Sequence, residues 1–168
     1  REATQHLGAH QMAVLIVDEL EAIEVEEQHA ELLAVAFGAL DLVADRLAQE
    51  GVCGALWADW WGFKLEAYDA VQENLAFVDY PQGGCAIVHS DSSEGIQRLN
   101  QEAAKAMTRG IRAGLDIPPE RAIRWVTSNA ARSLGIETRT GSLEAGKMAD
   151  IVIWNGNPLS QFTKAEQT

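Results

Sequence analysis

Apolar residues along this chain follow two different rhythms. From residue 10 to 23, HQMAVLIVDELEAI, they recur at Met12, Leu15, Ile16, Leu20 and Ile23 with acids on the other side, the period of an amphipathic helix. Residues 39–50, ALDLVADRLAQE, repeat the pattern through Leu40, Val43, Ala44 and Leu47, and Gly51 stands where a left-handed helix cap is expected. Beyond that glycine, apolar runs of strand length alternate with helices. GVCGALWA at 51–58 and CAIVH at 85–89 read as buried strands. Between them, KLEAYDAVQENLAFVD at 64–79 puts Tyr68, Val71, Leu75 and Val78 on one helical face. A helix over 93–113 turns Ile96, Leu99, Ala103, Ala106 and Ile111 inward and closes at Gly114. Another opens at Pro119, a residue suited to a first turn, and carries Ile123, Val126, Ala130 and Leu134.

Near-continuous apolar strands alternating with helices predict an α/β fold of parallel βα units buried on both faces. In such folds chemistry collects at the carboxyl ends of the strands. His89, Asp91 and the loop WADWWGF at 57–63 all fall there. The segment GSLEAGKMADIVIWNGNP at 141–158 departs from the pattern: a Gly-bounded turn leads into ADIVIW and then into Asn-Gly and Asn-Pro turn signals, with no helix after. Such a strand belongs to a hairpin or to a separate small sheet.

Composition narrows the function. The chain has 168 residues, 47% of them apolar, enough for one domain with a core. Its 25 acids against 13 bases give a net charge of -12, with a dense acidic run at 18–31. That balance repels phosphate backbones and anionic lipid, which sets nucleic acid and membrane surfaces aside. No apolar run approaches the roughly 18 residues of a membrane span, and a cytoplasmic location is the default expectation. Cys53 and Cys85 lie 32 positions apart without a CxxC pair, so they read as buried thiols in strands rather than as a zinc knuckle or a disulfide framework.

Asp91 is the sharpest chemical candidate. A carboxylate at the carboxyl end of a strand can ligate a divalent metal and accept a proton from metal-bound water. The same position, with Ser92 and Ser93, also suits capping of the helix that begins near Glu94, and spacing alone leaves both readings open. His89 lies two residues back, on the same face if the strand continues; it could ligate, orient a neighbour or serve as a hydrogen-bonded structural residue. His6 and His10 have a helical pair spacing but lack the glutamate of an HExxH site. Trp57, Trp60 and Trp61, close to Phe63, suit the aromatic wall of a substrate pocket or a contact between subunits.

The order HSDS, QRLNQEAAKAM, AIRWVTSNAARSLGI and TGSLEAGKMADIVIWNGNP resembles the carboxyl-terminal part of the metal-dependent amidohydrolase superfamily, in its imidazolonepropionase-like branch, from about residue 45 to 160. The resemblance implies a partial (β/α)8 barrel over residues 1–135 and, over 136–168, a strand returning to a small β-sandwich domain. It implies a water activated by a divalent metal, zinc by expectation, that hydrolyses carbon–nitrogen bonds of amides or cyclic amides. Asp91 falls on the family's aspartate after the eighth strand, a metal ligand and proton shuttle; His89 matches the HSD pattern without being a standard ligand there. No HxH pair occurs, Phe37-Gly38-Ala39 stand where a histidine-bearing strand is expected, and His29 is the nearest histidine upstream. A whole barrel takes about 250 residues. The chain, which begins at Arg1 rather than Met, is therefore expected to be an incomplete portion. It would hold the last few βα units, with QFTKAEQT stopping short of a remaining sandwich strand. The alternative is a non-catalytic remnant without metal, stable as a homo-oligomer that covers its sheet edges.

Overall fold

Two short parallel strands organise the molecule. β1 (Gly54–Leu56) pairs with β2 (Ala86–Val88) in the register Gly54↔Ala86, Ala55↔Ile87 and Leu56↔Val88, as the strand–helix–strand rhythm predicts. The computed structural model describes residues 41–58, 71–160 and 162–168. The helix expected over 10–23, Trp60, Trp61, Phe63, Tyr68, His6, His10 and His29 lie outside the described residues, and residues 39–168 make one compact unit.

The run 41–50 is helical (α1), with Ala44 buried and Leu47 packed against the core. It ends as the sequence predicts. Gly51 adopts φ 68°, and the amides of Gly51 and Val52 donate to the carbonyls of Ala48 and Leu47, the paired bonds of a Schellman cap, which needs a left-handed residue. Between the strands, helix α2 (Asn74–Asp79) buries Leu75, Ala76 and Val78; the first half of the helix expected over 64–79 lies outside the described residues.

After β2 the chain makes a 3-10 turn, Gly95–Arg98, and then α3 (Leu99–Arg112). The inward stripe is Ala103, Ala106 and Gly110, with Leu99 partly covered. Ile96 and Ile111, both expected inside, are exposed. The 3-10 turn breaks the phase before Leu99, and Ile111 sits one step, about 100° of helix rotation, past Gly110. Gly110 is what lets α3 lie against α2, because a Cβ there would collide with the Ala76 methyl.

The expected helix from Pro119 is in fact three pieces: α4 (Pro119–Ala122), a 3-10 turn Ile123–Val126, and α5 (Ser128–Ser133), with the break at Thr127, φ -132° and ψ -97°. A 3-10 turn repeats every three residues, so Ala122 and Trp125 face inward, fully buried. Leu134, expected inside, is 72% exposed. Trp125 is the largest buried side chain of the core, and truncating a buried tryptophan costs about 3–5 kcal/mol.

The segment after α5 forms a separate antiparallel pair, β3 (Ile153–Trp154) with β4 (Ala165–Gln167), as its turn signals predict. The polar tail supplies β4, so QFTKAEQT contains a pairing strand rather than only a trailing end. Leu159 inserts into the main core, and the Asn100 side-chain amide donates to the Pro158 carbonyl at 2.7 Å.

Two expectations for the strands are corrected. Cys53 and Cys85 are not free thiols: they form a disulfide, with Cα atoms 4.5 Å apart. Each immediately precedes its strand, so the pairing of Gly54 with Ala86 also sets the two cysteines side by side. The strands are also not buried on both faces. Ala86 and Val88 are buried, whereas Ala55 is exposed and Ile87 only half-buried, so one face of the pair stays open.

Candidate active site

The carboxyl ends of β1 and β2 deliver Trp57 and the run His89-Ser90-Asp91. The ladder continues one step past β2, where the His89 amide donates to the Leu56 carbonyl at 3.2 Å. The imidazole of His89 then packs on the indole of Trp57, ring centroids 5.1 Å apart and planes tilted by 33°. Trp57 is held in turn by α2, since the Asn74 side-chain amide donates to its carbonyl at 3.1 Å. Both rings are half-buried.

At Asp91 the backbone leaves the strand. Its φ is 50°, the left-handed region, and it is the one non-glycine residue there among the described residues. Aspartate tolerates this conformation better than most residues, and such backbone settings cluster at functional sites. Strand geometry does not extend to Asp91, so the condition under which His89 and Asp91 would share a face is not met.

The capping role is taken by Ser92. Its Oγ accepts the amides of Glu94 at 3.3 Å and Gly95 at 3.0 Å, satisfying the free N–H groups at the start of the 3-10 turn. Buried Ser90 fixes the turn from the other side: its Oγ accepts the Ser92 amide at 3.3 Å and donates to the Ser92 carbonyl at 3.1 Å. Asp91 is exposed and makes no hydrogen bond or ion pair among the described residues. Its carboxylate is therefore not spent on capping.

With this geometry in view, comparison with known proteins is informative. The sequence pattern described as "Amidohydrolase family" matches residues 85–168, half of the chain. The chain belongs to the amidohydrolase family. Within this family, an imidazolonepropionase of Pseudomonas aeruginosa (strain UCBPP-PA14) is 56% identical over 39 residues, 23% of this chain and 10% of the relative. The amidohydrolase tasK of Hapsidospora irregularis is 35% identical over 106 residues, 62% of this chain and 10% of the relative. Among solved structures, an amidohydrolase from Thermotoga maritima MSB8 superposes with a TM-score of 0.63 at 27% identity, covering 75% of this chain and 32% of the other. The matched segments thus cover about a tenth of the length of these curated relatives.

Amidohydrolases generally use a divalent metal. The residues described here do not fit one by themselves, because no group of three or more His, Cys, Asp or Glu side chains among them is placed to hold an ion, and catalytic zinc takes three protein ligands. Asp91 stands at the strand end as one exposed carboxylate. Trp60 and Trp61, the other expected wall residues, lie outside the described residues. Sequence reasoning missed Asn74 and Ser90 as positioning groups, and neither carries a spacing signal: each acts across a fold contact or within a turn.

Proposed function

We propose that this amidohydrolase-family chain contributes the closing βα units of a barrel-type, metal-dependent hydrolase that cleaves a carbon–nitrogen bond of a small cyclic or acyl amide through a metal-activated water. The observation that carries this reading is the release of Asp91 from capping at the carboxyl end of β2, in a left-handed backbone setting. Asp91 would supply one carboxylate to a divalent metal, zinc by preference, and would accept a proton during hydrolysis; further ligands would be needed beyond the described residues. Trp57 and His89 line the approach to it, and residues 136–168 begin the β-sandwich. A homo-oligomer is in keeping with the open strand face. Disulfides persist in oxidising compartments and are rare in the cytosol, so the cytoplasmic expectation loses its support.

The full chain supplemented with zinc, assayed on imidazolonepropionate and on a panel of cyclic amides, tests this. General acid–base groups contribute about 10²- to 10⁴-fold, so Asp91→Asn is expected to lower turnover at least a hundredfold and to reduce bound zinc. Full turnover in Asp91→Asn would remove Asp91 from the mechanism, and a chain that neither binds zinc nor hydrolyses any of these amides would exclude hydrolysis by this chain.

A further inference from the structure

The amino-terminal end of the strand pair holds a concavity whose lining does not include Asp91. It is a cleft of about 610 Å³ bordered by the turn 80–84, which leads into Cys85 and β2, and by Asp116, Arg121, Arg124 and Arg132. Three arginines therefore border one cleft in a chain whose net charge is -12. Asp116 is the one acid among the residues that border it.

The three arginines are not equivalent. Arg121 is fixed: its Nε donates to the buried carboxylate of Asp79 at 2.5 Å, and its Nη2 donates to the carbonyls of Asp79 and Tyr80. Its guanidinium also lies 5.4 Å from the centre of the Tyr80 ring. These contacts use Nε and Nη2 and leave Nη1 uncommitted among the described residues. Arg124 makes no ion pair there, and Arg132 makes one long bond, Nη2 to the Gly51 carbonyl at 3.4 Å. A fixed fork is thus flanked by two exposed cations. Guanidinium groups bind the planar oxygens of carboxylates and phosphates through paired N–H donors, and holding one in advance reduces the ordering cost of binding.

The geometry points to a binding site for a small oxyanion, a phosphate or a carboxylate, in this cleft, with Arg124 and Arg132 closing on the ligand beside the Nη1 of Arg121. The site is separate from the candidate active site and stands independently of the hydrolase reading. Its ligand joins the turn 80–84 to α4, the following 3-10 turn and α5.

Calorimetry and thermal melting of the full chain test it, with inorganic phosphate in one arm and succinate in the other, at an ionic strength held constant with sodium chloride. Saturable binding and a raised melting temperature are expected in at least one arm, and the arm that responds identifies the anion. Arg124→Gln with Arg132→Gln should weaken that binding at least tenfold while leaving the melting temperature without anion unchanged, because both side chains are exposed. The single variant Arg124→Gln should give an intermediate loss. Binding in neither arm, or equal binding in the double variant, would overturn the assignment.

Discussion

The two ends of the β1–β2 pair are built to opposite standards. At the amino ends the strands are tied down by a covalent link and a buried polar network. A disulfide joins the residues just before the strands, and the carboxylate of Asp79, fully buried, receives Arg121 from α4 and the side-chain amide of Asn129 from α5 at 3.3 Å. The same Asn129 amide donates to the Ala86 carbonyl at 2.9 Å, so one network joins α2, α4, α5 and β2. At the carboxyl ends, among the described residues, the contacts are a ring contact, a side-chain bond from Asn74 and a serine-stabilised turn, and Asp91 stands exposed in a left-handed conformation.

Three substitutions probe that contrast, in order of expected effect. Asp79→Ala removes the carboxylate that a guanidinium and a buried amide share, and breaking a buried ion pair costs about 3–5 kcal/mol; urea unfolding should show a midpoint lowered accordingly. A loss below about 1 kcal/mol would mean that the amino end is not held by this network. Reduction of the disulfide, or Cys53→Ser with Cys85→Ser, opens a loop of 32 residues and should cost about 3–4 kcal/mol on the loop-entropy relation, read as a lower melting temperature in dithiothreitol. An unchanged melting temperature would show that the bond does no stabilising work. At the other end, Ser92→Ala removes a cap and should cost about 1 kcal/mol. A Ser92 effect as large as that of Asp79 would erase the contrast.

Much of this architecture is legible in the sequence, and the failures have physical causes. The parallel pair, the Gly51 cap and the separate hairpin follow from local signals: apolar runs, a glycine past a helix, Asn-Gly and Asn-Pro turns. The disulfide does not, because nothing in the separation of Cys53 and Cys85 reveals that pairing sets them side by side; only the register does. Trp125 was hidden by the assumption of a continuous α-helix from Pro119, since a change to three residues per turn moves the core from Val126 to Trp125. At the site, the position of Asp91 was readable, but its freedom from capping was not. Asp91, Ser92 and Ser93 are all competent caps, and the left-handed turn at Asp91 selects Ser92.

The cysteine link has a further consequence. Parallel strands of three residues share few ladder bonds, and a slip by one residue would turn every side chain to the opposite face. The covalent bond between residues 53 and 85 forbids that slip, because the paired positions Gly54 and Ala86 are offset by the same number of residues. The height at which Trp57 and Asp91 emerge from the sheet is therefore set by chemistry at the opposite end, much as a hinge pin at the foot of a door fixes where its handle stands.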